Sequence, residues 1–387
     1  MLDWPIIGGG IQGTTLATYL IKKQKAKTQD IRIIDPHSKP LSRWEECTSE
    51  IGMKYLRSPS IHHLDPEPFA LEKFAKKYRT KDDRPFLGTY DRPSLELFNE
   101  HCQHLFDEVE LASCWIQGRV ECIQKKRGYW RVLLVDGTVL DSKQVVVAIG
   151  IGEKPIWPEW AIGLKEEGAS VCHLFDEGKK KLKESGSLVI TGGGITAAHT
   201  ALKWGEQLPG KVILLTRHTL RVHQFDSHPG WLGPKLMRNF QRIKSYEERR
   251  ATIRQARNRG SMPLELKTRL LKAEKDGKIS IIYDEVDSAK LVNDTIRLQL
   301  KQGYIEAGQI LLATGFDQTA PGMNWLMETQ LEQNLRCAAC GYPIVDSTLK
   351  WDAGLYVLGA LAELEVGPVA RNISGARRGA ERIIQSI

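Results

Sequence analysis

Apolar residues along the chain fall into short runs that leave through glycine, followed by longer stretches with helical spacing. The first run, Trp4 to Ile7, enters Gly8-Gly9-Gly10 and continues through Ile11-Gln12-Gly13 into a helix-forming stretch, Thr14 to Leu20. A second strand, Ile31 to Ile34, ends on Asp35. The same order returns at Ser187 to Ile190, with Gly192-Gly193-Gly194 and Ile195-Thr196-Ala197-Ala198, and then a strand at Lys211 to Thr216. Alternating positions at Val120 to Ile123, Trp130 to Val135 and Val139 to Leu140 predict a β-meander with Asp136-Gly137 as a turn. Strands are also predicted at Ile279 to Tyr283, Ala289 to Val292 and Thr295 to Leu300. Runs that are apolar throughout, Gln144 to Ile149 and Gln309 to Ala313, predict strands buried on both faces. Helical spacing marks Asp91 to Cys102, the set Leu236, Phe240 and Ile243, and the set Leu266, Leu270 and Leu271 behind Pro263.

Strand, glycine turn and helix in that order give the two turns their meaning. In Gly8-x-Gly10-x-x-Gly13, Gly8 permits the tight turn and Gly10 lets a pyrophosphate approach the backbone. Gly13 lets helix and strand pack closely. Ile11 and Gln12 open the helix whose N-terminus faces the anion, and Asp35, 27 positions after Gly8, would accept from a ribose hydroxyl. In Gly192-x-Gly194-x-x-Ala197 an alanine replaces the last glycine, a variant that the fingerprint tolerates, and Ile195 and Thr196 occupy the helix start. The strand after it ends in Arg217-His218 with Arg221 nearby and no acid at its tip, which favours the 2′-phosphate of NADP, with Arg217 the first candidate and Arg221 the second. Two turns of different charge preference, 184 positions apart, suggest that one holds FAD and the other delivers NADPH to it.

Composition narrows the class. A chain of 387 residues accommodates two or three domains at roughly 100–200 residues each. No apolar run reaches the ~18 residues of a membrane span, and the chain enters a strand at once, so a soluble, cytoplasmic protein without an export signal is expected. Seven cysteines spread over this length do not resemble a disulfide framework. The net charge of +8 is concentrated: Lys235 to Arg259 holds nine Lys/Arg against Glu247 and Glu248. Such a stripe suits an acidic protein or a phosphorylated ligand, or is a solvated helix face; thin aromatic interleaving makes nucleic acid a poor partner.

Other candidates sit in loops and strand exits. The segment after the second strand of a dinucleotide-binding domain lies along the cofactor, so Arg43, Trp44, Met53 and Arg57 would cover an isoalloxazine and its phosphates, or simply pack the loop. Thr314 and Gly315 end an apolar strand beside the ligand, and Gly359, with Gly367-Pro368 before the last helix, would present free N–H groups to a flavin edge. Cys337-x-x-Cys340 has the spacing of a redox pair or half a zinc site, but no second such pair completes a metal site, and none is expected. No side-chain acid or base stands out as catalytic.

With both fingerprints, Leu312-Ala313-Thr314-Gly315-Phe316 and the strand from Gly354 to Gly359, nearly the whole chain resembles a two-dinucleotide-domain flavoprotein. Within that group it resembles the N-hydroxylating flavin monooxygenases of the ornithine and lysine hydroxylase type. The resemblance implies an α/β fold of two Rossmann-like, three-layer ββα domains. Residues 1–155 plus 307–387 would hold FAD, residues 156–306 would hold NADPH, and a small helical insertion is expected at about 226–278. It also implies that NADPH reduces FAD, that oxygen adds at the flavin C4a position, and that an amine or other small nucleophile takes up the distal oxygen. Two other functions are compatible with the residues: an NADPH-flavin reductase passing electrons to a disulfide or protein acceptor through Cys337 and Cys340, and a non-catalytic FAD/NADP-binding partner protein.

Overall fold

The computed structural model describes residues 2–80, 82–152, 154–176 and 186–387. Two sheets organise it. The first has six strands in the order Lys350–Asp352, Leu355–Val357, Val145–Val147, Trp4–Ile7, Ile31–Asp35 and Trp115–Gln117, parallel except for its first member. Its central register sets Ile6 beside Ile33 and Val146, all fully buried, as continuous apolar runs require when both faces are covered. Helix Ile11–Lys22 packs against the last helix, Ile373–Gln385. The meander Val120–Lys126, Tyr129–Leu134 and Val139–Ser142 adds Ile123, Trp130 and Val132 to the same core.

The second sheet runs Val171–His173, Gln309–Leu312, Leu188–Thr191, Val212–Thr216 and Ile279–Tyr283, parallel throughout. A second meander, Val286–Val292, Thr295–Leu300 and Gly303–Ala307, covers it through Ile296, Leu298 and Leu300. Asn293 and Asp294 turn its first hairpin at φ of 48° and 62°, the doubly left-handed turn that matches strand twist.

Three sequence expectations need correction. The strand Gln309–Leu312 was expected to open the returning FAD segment, yet it is hydrogen-bonded between two strands of the second sheet. An apolar strand must be buried on both faces, and the centre of that sheet satisfies this. The stretch expected to be one helical insertion divides in two. Helix Leu264–Lys275 lies between two parallel strands in sequence and packs Leu266, Leu270 and Ala273 into the second core. Helices Pro234–Arg242 and Tyr246–Ala256 instead send Met237, Phe240 and Ile253 into the first core. The loop expected from Pro36 to Ser60 contains a helix, Ser42–Glu50.

The basic stripe is partly internal. Arg249 donates to the Leu364 carbonyl and pairs with Glu365, while Arg250 pairs with Glu363, which is 1% exposed. Arg371 binds the other Glu363 oxygen at 2.7 Å and reaches the buried Tyr342 hydroxyl at 2.9 Å. Buried charges need such pairing, and removing one partner of a buried pair costs on the order of 3–5 kcal/mol. Lys235, Arg238, Arg242 and Lys244 remain exposed. Among the described residues no helix is long and apolar enough to cross a membrane.

Burial also holds imidazoles neutral. It pushes His63 and His199 down to about 4 and His101 to about 3. The unfolded chain, with imidazoles near ~6.5, takes up these protons first as pH falls. Stability is therefore on a plateau above pH ~6.5, falls on acidification through the window down to about 3, and levels below it, each imidazole contributing on the order of 3–5 kcal/mol. Urea midpoints measured from pH 7.5 to 4.5 should show this fall, and His63→Gln should flatten its slope.

Candidate functional site

The first glycine turn is built by close approach. Gly8 has φ +110°, and a Cβ on it would stand 2.7 Å from the Ala148 carbonyl oxygen. A Cβ on Gly13 would strike the Gly8 carbonyl. Both positions exclude any side chain for reasons internal to the protein. Gly10 differs, because no atom lies within 4 Å of the place a Cβ would take. Its missing side chain serves something outside the packing. Gly10 caps helix Ile11–Lys22 with no side-chain hydrogen bond and no acidic residue in the first turn, leaving the first helical N–H groups directed at this open face. Asp35 accepts from the Gly9 N–H at 2.7 Å and from the His37 N–H at 2.9 Å, which fixes its carboxylate at the tip of the neighbouring strand. Gln12 donates through Nε2 to the carbonyls of Ala370 and Asn372, and a Cβ on Gly359 would come 2.9 Å from its Cγ. Its Oε1 is buried without a hydrogen-bond partner among the described residues. An open phosphate face, a positioned carboxylate and an orphaned buried acceptor fit a dinucleotide here.

The loop residues have other attachments. Trp44 donates to Asn99 Oδ1 at 3.0 Å and packs on Phe98. Arg43 donates to the Phe175 carbonyl, and Met53 touches both the first and the second cores. Arg57 pairs with Asp226 at 2.6 Å and donates to the carbonyls of His223, Gln224 and Phe225. Its guanidinium is therefore used to tie the two halves together rather than left facing a phosphate.

The second turn repeats the first with one difference. Gly192 has φ +152°, and a Cβ on it would stand 2.5 Å from the Ala313 carbonyl oxygen. Ala197 is fully buried, so a methyl group suffices where the first turn has Gly13. Ile195 and Thr196 start the helix, and the Thr196 carbonyl accepts from Thr200. Above Gly194, however, the Cα of Gly260 stands 3.4 Å from the would-be Cβ; the His218 ring lies over Gly193 much as the Trp115 ring lies over Gly9. The turn has dinucleotide-binding geometry, but the backbone of Gly260 stands over Gly194, where the first turn has open space over Gly10. Arg217 and Arg221 are both exposed at the strand tip beyond it.

Residues 5–152 match a family model described as FAD-NAD(P)-binding. No curated protein matches the chain in sequence. Among solved structures the chain is similar to the ornithine hydroxylase PvdA of Pseudomonas aeruginosa, at 18% identity and a TM-score of 0.77, covering 100% of this chain and 98% of that one. It is similar to DfoA, the cadaverine monooxygenase of Erwinia amylovora, at 16% identity and a TM-score of 0.74, covering 100% and 95%. The bacillithiol disulfide reductase Bdr of Staphylococcus aureus superposes at 15% identity and a TM-score of 0.61, covering 100% and 97%. The fold is that of the two-dinucleotide-domain flavoproteins.

The strand exits are held by local contacts. Thr314 donates to the Ile156 carbonyl, and the Gly315 carbonyl accepts from the Ile156 N–H, which staples the two connections between the sheets. Gly359 abuts Gln12, Gly367 has φ +85° beside Met237, and the Pro368 carbonyl accepts from Arg257. Cys337 and Cys340 lie apart from both turns, in the tight bend before Tyr342. Burial, reinforced by Cys340, pushes the Cys337 thiol up to about 11, away from the thiolate a redox nucleophile needs. Among the described residues no cluster of His, Cys, Asp or Glu could hold a metal.

A cavity of about 260 Å³ opens between Arg57-Ser58-Pro59, Phe225-Asp226 and the segment Val369, Asn372 and Ser374. Asn372 also accepts from Gln12, so the cavity adjoins the first turn. His62 lines it, held down to about 4 by burial. Sequence reasoning missed His62, Tyr90 and Phe225, which carry no local motif and meet only through the fold.

Replacing Gly10 with leucine should abolish flavin retention while leaving the far-UV circular dichroism and urea midpoint of the apoprotein intact. Gly13→Leu should lower the apoprotein midpoint itself, because its side chain meets backbone.

Proposed function

We propose that the chain is an FAD-dependent, NADPH-using oxidoreductase of the monooxygenase type. The open face over Gly10, flanked by Asp35 and the unpartnered Gln12 Oε1, carries this reading. Gly8, Gly10, Ile11, Gln12, Gly13 and Asp35 would hold FAD, with Gly359 and the Gly367-Pro368 turn at its far end. Bound FAD would supply acceptance of two electrons from NADPH and reaction with oxygen.

The protein's share is to hold, orient and keep water away. The first turn would anchor the pyrophosphate through backbone N–H groups. The segment from Val369 to Ser374 would set the edge of the ring system against the cavity, and Gln12 locks that segment to the turn. His62 presents to the cavity an imidazole that burial holds neutral, so it offers a hydrogen bond without a charge. The neighbours named for ornithine and cadaverine hydroxylation support oxygen transfer to a small molecule. The raised Cys337 thiol speaks against the alternative of electron transfer through Cys337 and Cys340, although one neighbour is a disulfide reductase.

The test is stopped-flow spectroscopy of the flavin-loaded protein, reduced anaerobically with NADPH and mixed with oxygen. Reoxidation in two phases with a transient near-ultraviolet absorbance is expected. Single-phase reoxidation releasing stoichiometric hydrogen peroxide would overturn the monooxygenase reading. Arg217→Ala should raise the dissociation constant for NADPH more than that for NADH; equal changes would remove Arg217 from the site.

A further inference from the structure

Beside the 260 Å³ cavity lies a larger one of about 590 Å³, and Tyr90 and Phe225, with ring centroids 5.0 Å apart, form the wall shared by both. The larger cavity is lined by those two rings and Trp231, by the imidazoles of His223 and His228, and by neutral amides including Asn258. Among the described residues no Asp, Glu, Lys or Arg lines it. In the smaller cavity the charged lining residues, Arg57 and Asp226, are paired with each other at 2.6 Å. A zwitterionic amino acid or a diammonium chain placed here would meet no ion partner on the wall, whereas an apolar body would cover ring surface that is now partly exposed, Tyr90 above all. We propose that the substrate is an uncharged molecule with an aromatic or aliphatic body, bound against Tyr90, Phe225 and Trp231, and not a free amino acid or diamine. This rests on the monooxygenase reading for the reaction, but not for the binding. The probes are indole, L-ornithine and cadaverine, titrated into the oxidised flavin-loaded protein and followed by perturbation of the visible flavin spectrum and of tryptophan fluorescence. Saturable binding of indole is expected, weakened at least tenfold by Tyr90→Ala and by Trp231→Ala, with no saturation by ornithine or cadaverine. Tighter binding of either charged probe, no binding of indole, or indole binding indifferent to both substitutions would overturn the proposal. Binding as expected without any oxygenated product in turnover would overturn the monooxygenase reading and leave the cavity's preference standing.

A second inference rests on the backbone that stands over Gly194 in the second turn. The contrast is internal: the place of a Cβ on Gly10 has no neighbour within 4 Å, whereas that on Gly194 is in contact with the backbone of Gly260. Gly260 is held at φ +64° at the end of a strap, Arg257 to Gly260, tied mainly to groups outside the second sheet. Arg257 donates to the Pro368 carbonyl at 3.0 Å, Arg259 to Gln318 Oε1 at 2.6 Å, and Asn258 to the Phe225 carbonyl at 2.9 Å. We infer that this strap occupies the pyrophosphate position of the nicotinamide dinucleotide, which enters only when the strap lifts. A binding-competent state that is a minor population reduces apparent affinity by its fraction, so loosening the strap should tighten binding. Gln318→Ala removes the acceptor of Arg259 while keeping every cation of the strap. Isothermal titration of NADP⁺ should show a dissociation constant lowered about three- to tenfold in this variant. Hydrogen exchange of residues 257–262 in the unaltered protein should rise on saturation with NADP⁺. An unchanged or weaker affinity in Gln318→Ala, or exchange in 257–262 unaltered by NADP⁺, would overturn the inference.

Discussion

Each half of the molecule depends on one close approach, the backbone of a glycine turn resting on the carbonyl of the alanine that ends the adjacent parallel strand. Gly8 lies against Ala148 and Gly192 against Ala313, and in both cases a Cβ would come within 2.7 Å of that oxygen or nearer. Only a residue without a side chain and able to adopt positive φ closes this gap. The approach brings the turn level with the strand exit, so that helix N-terminus, strand tip and exit loop share one edge of each sheet. Ligands of open parallel sheets bind at such carboxyl edges, where the strand order reverses.

Charged ties connect the two edges, beside the apolar contact that Met53 makes with both cores. Arg43 and Arg57 reach from the first half to carbonyls near the second turn, and Arg257 and Arg259 reach back. Guanidinium groups suit this work because several fixed donors can bind several carbonyls at once. Arg57 engages three successive carbonyls and a carboxylate. Such ties hold a defined closed arrangement, yet each is a few hydrogen bonds that solvent can replace. Asn258 lines the larger cavity and Gly260, two positions on, stands over Gly194, so one short segment borders both regions.

The legible part of the chain was that in which function and local geometry impose the same residues. Both glycine turns, the apolar strands beside them, the first meander and two strands of the second could be read from spacing, because turn residues and apolar periodicity mark them locally; the last strand of the second meander, Gly303–Ala307, was not read. Where long-range packing decided, reading from spacing misplaced elements. Gln309–Leu312 has the pattern of a central strand but nothing local to say which sheet it enters. Arg43 and Arg57 occupy the expected loop, but the direction of their side chains was set by carbonyls more than a hundred positions away.

By itself the sequence determined the fold class, two dinucleotide-type domains and the turns that define them, since a glycine required by close approach and a strand required to be apolar leave direct marks. Tertiary structure alone decided that the face over Gly10 is open and that Gly260 stands over Gly194, that the basic stripe is partly neutralised by buried Glu363 and by Glu365, and that the cavity walls carry no unpaired charge. Each of these depends on which distant segments meet, and no residue's identity records its neighbour across the fold.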